Sequence, residues 1–138
     1  MSQIDWQALE AAAIEARKSA YCPYSRYAVG AAILGDDGAI YSGCNVENVS
    51  YGASLCAERN AVTRMVCEGT KRIRALALMT ADGGTPCGMC LQVLSEFVEE
   101  AEPLPIRILS ESGGRRDTSL HELLPQPFAN FKAPDTNS

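Results

Sequence analysis

Two short segments constrain this chain more than any others: Leu55-Cys56-Ala57-Glu58-Arg59 and, about thirty residues later, Pro86-Cys87-Gly88-Met89-Cys90. The second carries the C-x-x-C spacing that lets neighbouring cysteines grip one metal ion, and the first adds a third thiol. Each falls where the pattern predicts the start of a helix. A fold that satisfies both must therefore bring two helix amino ends together. Three thiolates leave a tetrahedral zinc one ligand short, and Glu58 stands beside the gap. Such an open position belongs to a hydrolytic site rather than to a structural clip, which would need a fourth ligand. A redox pair would account for Cys87 and Cys90 but not for Cys56-Ala57-Glu58. Three thiolates also outweigh the charge of Zn2+ and blunt its power to acidify water, so helix dipoles and the adjacent Arg59 are expected to offset that charge. Without the cysteines, Glu58 and Arg59 would read as a solvated helix face.

The rest of the chain supplies a mixed α/β scaffold. Asp5 is placed to cap a helix in which Trp6, Leu9, Ala13, Ala16 and Ala20 recur at helical spacing up to Tyr21, and Pro23 ends it. Residues 28–34 and 39–43 flank Gly35-Asp36-Asp37-Gly38, a hairpin signal. Gly30 marks a close approach by a ligand or by backbone. If residues 44–48 stay extended, Asn45 and Glu47 point to one side. A helix over 55–68, a strand over 73–81, a helix over 88–99, strands over 105–110 and 115–119 and a brief helix at 121–124 complete the order. The expected fold class is a three-layer α/β/α arrangement with a central mixed sheet. One domain is expected over residues 1–138, with about 132–138 a frayed tail.

Composition narrows the function. The net charge is −5 and no basic run exceeds two residues, which argues against a polynucleotide surface and for a small substrate. The opening residues lack a charged segment followed by an apolar run, so a cytoplasmic protein with reduced thiols is expected, and no membrane partner. Cys22, Cys44 and Cys67 then read as small buried hydrophobes, and His121 as a surface or cap residue.

Several linked motifs resemble the cytidine deaminase family, specifically its small, three-cysteine, homotetrameric type. Cys56-Ala57-Glu58-Arg59 and Pro86-Cys87-Gly88-Met89-Cys90 carry the resemblance. So do Pro23 to Ala32, Gly43-Cys44-Asn45-Val46-Glu47-Asn48, and Leu123-Leu124-Pro125 through Phe128. The likeness runs from about Tyr21 to Phe128. It implies five strands in the sheet and one zinc per chain on Cys56, Cys87 and Cys90. It also implies Glu58 as the proton shuttle, with Arg59 supporting the thiolates. Asn45 and Glu47 match residues that hold the ribose, chiefly its 3′-hydroxyl, so cytidine and deoxycytidine are both implied substrates. Tyr27 stands where the family usually has phenylalanine against the base, and Ala57 belongs with the substrate contacts. Tyr51 and Phe128 match positions that enter a neighbouring subunit's site; from the residues alone, core packing was the simpler reading of Tyr27 and Phe128.

Two departures stand out. The second motif usually continues Gly-Ala-Cys-Arg, whereas this chain has Met89 and Leu91. Met89 is a mild apolar change, but Leu91 removes a cation next to a zinc ligand, and a loss of electrostatic help is expected unless side chain 91 points into the core. Rival readings are a deaminase for a modified cytosine nucleoside of the blasticidin S type and a non-catalytic zinc module. Asn45 with Glu47 argues against the first, and Glu58 against the second.

Overall fold

A computed structural model describes residues 3–99 and 102–129. The expected tail at about 132–138 lies outside the described residues. In chain order the elements are α1 (Trp6–Arg17), β1 (Gly30–Gly35), β2 (Ile40–Cys44), a 3-10 turn at Tyr51–Ala53, α2 (Ala57–Cys67), β3 (Ile73–Thr80), α3 (Gly88–Ser95), β4 (Pro105–Ser110), β5 (Arg115–Ser119) and α4 (Leu120–Leu123). The strands form one sheet in the order β2-β1-β3-β4-β5. Pairing is antiparallel except between β3 and β4. Those two are joined through α3, the crossover that a parallel pair requires.

The sheet divides the interior into two unequal halves through the two-residue period of its strands. Ala32, Ala75 and Ala77 face α1, where Leu9 and Ala13 cover them. Ala31, Ile33, Leu76 and Leu78 face the other way and join Val62, Met65, Leu91, Leu94, Ile106 and Ile108 in the larger core. Helices on both faces give the expected three layers. Small residues set how closely the layers approach. A Cβ on Gly30 would lie 2.0 Å from the Ala13 carbonyl oxygen, so the approach expected there is the α1 backbone itself. Likewise, a Cβ on Gly43 would lie 2.7 Å from the Ala61 nitrogen, so α2 rests directly on β2.

The thin α1 side is reinforced by charge. Glu10 is only 14% exposed and pairs with Arg107 and Arg115, each at 2.9 Å. Arg107 also pairs with Asp117 at 2.7 Å and lies 4.5 Å from the centre of the Trp6 ring. Among the described residues, no helix is long and apolar enough to cross a membrane.

α1 and α3 end well before the sequence pattern predicts, and tertiary bonds account for both. α1 stops at Arg17, and Lys18, Ser19 and Ala20 follow in tighter turns bonded three residues back. Tyr21 is recruited instead to bridge Val46, donating to the Asn45 carbonyl at 2.9 Å and accepting from Glu47 at 2.8 Å. α3 stops at Ser95 because Phe97 turns its carbonyl to the Ile73 N–H at 2.8 Å, starting β3. The cysteine expectation is corrected as well. Cys67 is exposed at the end of α2, and Cys22 and Cys44 are half-buried near strand and turn ends. His121 is exposed on α4, while Ser119 provides the cap by accepting from the Glu122 N–H.

Leu91 is the sharper correction. Its side chain is 7% exposed and belongs to the larger core. The missing cation is therefore a packing feature of this chain, not an electrostatic deficit at the metal. Leu91→Arg should bury an unpaired charge and cost about 3 kcal/mol or more. Thermal unfolding should show a marked drop in Tm, while the acid limb of the pH–rate profile stays where it is.

Candidate active site

Cys56 and Cys87 occupy equivalent places at the amino ends of α2 and α3. Both are N-cap residues in extended backbone, with φ −76° and ψ 154° at Cys56 and φ −72° and ψ 167° at Cys87. Serine or aspartate at such a position would turn back to cap its own helix. Neither cysteine side chain does so. Their sulfurs project forward, and the two helix dipoles favour negative charge there. Cys90 lies in the first turn of α3 and completes the set. The three sulfurs lie within 4.8 Å of one another, with Cys56 to Cys87 at 3.9 Å and Cys87 to Cys90 at 3.3 Å. Tetrahedral zinc–thiolate bonds of about 2.3 Å place sulfurs about 3.8 Å apart. The donor set fits zinc.

Protons are shared unevenly between Cys56 and Cys90. The Cys56 thiol is lowered to about 5, first by the hydrogen bond from Cys90 and then by Arg59. Cys90, as the donor in that pair, is raised. A divalent cation entering the cradle would displace the remaining thiol protons. Arg59 Nη2 lies 3.7 Å from the Cys56 sulfur and 3.3 Å from the Ser54 carbonyl oxygen. Its Nε is buried without an acceptor among the described residues. The guanidinium is thus held against the Cys56 sulfur.

These groups open into a cleft of about 450 Å³ that also contains Ser25, Tyr27, Asn45, Glu47, Tyr51, Glu58, Thr80 and Met89 in its lining. Glu58 is 5% exposed, and burial is the main cause that raises its carboxyl to about 7. A carboxyl so placed exchanges protons near neutral pH. Ala57, the first residue of α2, belongs to the wall but is fully buried.

The opposite wall is a turn strapped down by side chains. Arg26 has φ 58°, an unfavourable left-handed conformation for a residue with a Cβ, and its neighbours are bonded on both sides. Glu47 accepts from the N–H groups of Tyr24 at 3.0 Å and Ser25 at 3.1 Å, and also from the Ser25 hydroxyl. The Asn45 amide accepts from the Val29 N–H at 2.9 Å and donates to the Tyr27 carbonyl at 2.8 Å. Both side chains face the cleft, as the extended reading of 44–48 predicts, yet both also support the turn. Ser25 was not singled out from the sequence, although it lies within the quoted Pro23 to Ala32 segment.

Tyr51 and Phe128 are 74% and 73% exposed, so Phe128 is not a core residue. The Tyr51 ring meets the Tyr24 ring edge-on, with centroids 5.8 Å apart. Gln92 holds the Phe128 backbone with both ends of its amide, donating to the carbonyl at 2.9 Å and accepting from the N–H at 3.1 Å. Gln92 was missed, although its position directly after Cys90-Leu91 in the second motif was a usable signal.

Residues 3–101 match the family described as the cytidine and deoxycytidylate deaminase zinc-binding region. The chain belongs to the cytidine deaminase family. It is 40% identical over 128 residues to a cytidine deaminase of Sporosarcina psychrophila, covering 91% of this chain and 93% of that one. The crystal structure of cytidine deaminase from Mycobacterium tuberculosis is similar with a TM-score of 0.79 at 44% identity, covering 92% of this chain and 99% of that one. The structure of cytidine deaminase from Burkholderia pseudomallei gives a TM-score of 0.83 at 40% identity, covering 91% and 100%. Membership in this zinc-binding family and the three-sulfur cluster agree on the metal. One zinc per chain is expected. Metal analysis of Cys56→Ala, Cys87→Ala and Cys90→Ala checks it, with stoichiometric zinc in the parent and loss in each variant; full retention in one would remove that residue from the ligand set.

Proposed function

We propose that this chain hydrolytically deaminates cytidine and deoxycytidine to uridine and deoxyuridine, releasing ammonia. The observation that carries this reading is the Glu58 carboxylate buried in the same cleft as the three-thiol cluster. A binding module has no use for a proton-exchanging group there. A zinc ion held by Cys56, Cys87 and Cys90 would acidify water and so supply a nucleophile for C4 of the base, the general chemistry of zinc deaminases.

The chain's own residues do the rest. Glu58, with a carboxyl raised to about 7, takes a proton from water and delivers it to N3 of cytosine. It then takes the proton of the hydroxyl now bonded to C4 and gives it to the 4-amino group; the C4–N bond breaks, the C4 carbonyl forms and ammonia leaves. Arg59 offsets the charge of the thiolates from outside the ligand set. Tyr27 offers an aromatic wall to the base, with Ala57 behind it at the start of α2. Asn45 and Glu47 hold the ribose. After their bonds to the turn, the Asn45 amide keeps one N–H and one lone pair, and the Glu47 carboxylate keeps acceptor capacity for a 3′-hydroxyl. Since both nucleosides carry that hydroxyl, both are substrates.

The working form is a homotetramer with shared sites. Support comes from Tyr51 and Phe128, large rings that are mostly exposed, and from the Gln92 grip that fixes the Phe128 backbone. Glu58→Ala should retain zinc and fold but lose at least about a hundredfold in ammonia release from cytidine; near-normal turnover would defeat the mechanism. Sedimentation should show an assembly of four chains, and Phe128→Ala should raise KM more than it lowers kcat. A fully active monomer would overturn the shared site.

A further inference from the structure

Tyr27 does more in the cleft than present a ring. Its hydroxyl donates to Asp82 Oδ1 at 2.6 Å, across a separation of 55 residues. Phenylalanine, usual here by resemblance, has no such group. Asp82 lies in the loop from β3 to α3, the loop that ends at Cys87. The same Oδ1 accepts from the Gly84 N–H at 3.1 Å. The Thr80 hydroxyl, on a residue 2% exposed, accepts from Gly83 at 2.7 Å and Gly84 at 3.1 Å. The first half of the loop is thus folded onto the end of β3, and its outermost tie is to Tyr27. Its second half delivers Cys87, which is exposed and makes no capping bond of its own. The fit around the tie is close: a Cβ on Gly84 would lie 2.8 Å from the Tyr27 hydroxyl. On its other side, the Tyr27 carbonyl is held by Asn45 at 2.8 Å.

We propose that Asp82 is a positioning residue, which latches the β3–α3 loop to Tyr27 and thereby fixes where Cys87 presents its thiol. The latch joins the turn held by Asn45 and Glu47 to the loop that carries a metal ligand. Its effect on turnover rests on the deaminase reading, whereas its effect on zinc retention does not.

The test uses zinc-loaded protein in excess chromogenic chelator, following the rate of zinc transfer beside kcat, KM and Tm. Asp82→Ala and Tyr27→Phe should each speed transfer about tenfold, the low end for a hydrogen bond to a charged acceptor. The double variant should be no faster than either single one. Asp82→Asn still accepts from the hydroxyl and should return transfer to within about twofold of the parent. Gly84→Ala should speed transfer in the parent but not in a Tyr27→Phe background, where the crowded hydroxyl is gone. An unchanged transfer rate in Asp82→Ala would overturn the latch, even if Tm falls. Additive effects in the double variant, or Asp82→Asn behaving like Asp82→Ala, would also overturn it. A parent that holds zinc but releases no ammonia from cytidine would defeat the deaminase reading, and the transfer rates would still decide the latch.

Discussion

The demand that three sulfurs share a space less than 4.8 Å across governs the rest of this structure. Thiolates so close repel one another unless a cation and oriented dipoles hold them. The chain meets that demand by aiming two helix amino ends at one point and by placing Arg59 against Cys56. The mixed sheet is what allows it. α2 follows the β1–β2 hairpin, α3 crosses from β3 to the parallel β4, and both pack on the same face. Their amino ends then meet at one rim of the sheet. Gly43 lets α2 lie flat on β2, so that Cys56 and Glu58 reach the cleft together.

Much of this was legible because each feature had a local signature. The cysteine spacing, the hairpin residues and the helical recurrence of apolar positions each depend on neighbours in sequence. What was not legible depended on partners far along the chain. Tyr21 left its helix for a bridge to Val46, and Phe97 left its own to start β3. The Tyr27–Asp82 bond spans 55 residues, and neither residue type announces it. For Leu91 the sequence left both a lost charge and core packing open, because adjacency to Cys90 in sequence says little about direction. In the first turn of α3, Cys90 points to the metal cradle while Leu91 turns into the core.

Under the proposed function, Asn45 and Glu47 would each serve two purposes. Each was read as a ribose contact, yet each also closes hydrogen bonds of the strained turn around Arg26. Changing either one would alter the wall as well as the proposed contact. Loss of activity in such variants therefore measures both effects, and only a comparison of binding with stability separates them.

The two faces of the sheet also differ in how they are secured. The face under α1 is a thin layer of alanines with Leu9, fastened by Glu10 and its two arginines, whereas the face under α2 and α3 holds most of the large aliphatic residues. Such a division makes α1 the segment expected to fray first, because it buries far fewer large aliphatic groups than α2 and α3 do. Excursions of that kind would stay on the side of the sheet away from the thiols. Amide exchange along α1 could then run far ahead of metal loss, giving the molecule a soft side and a hard side with the chemistry on the hard one.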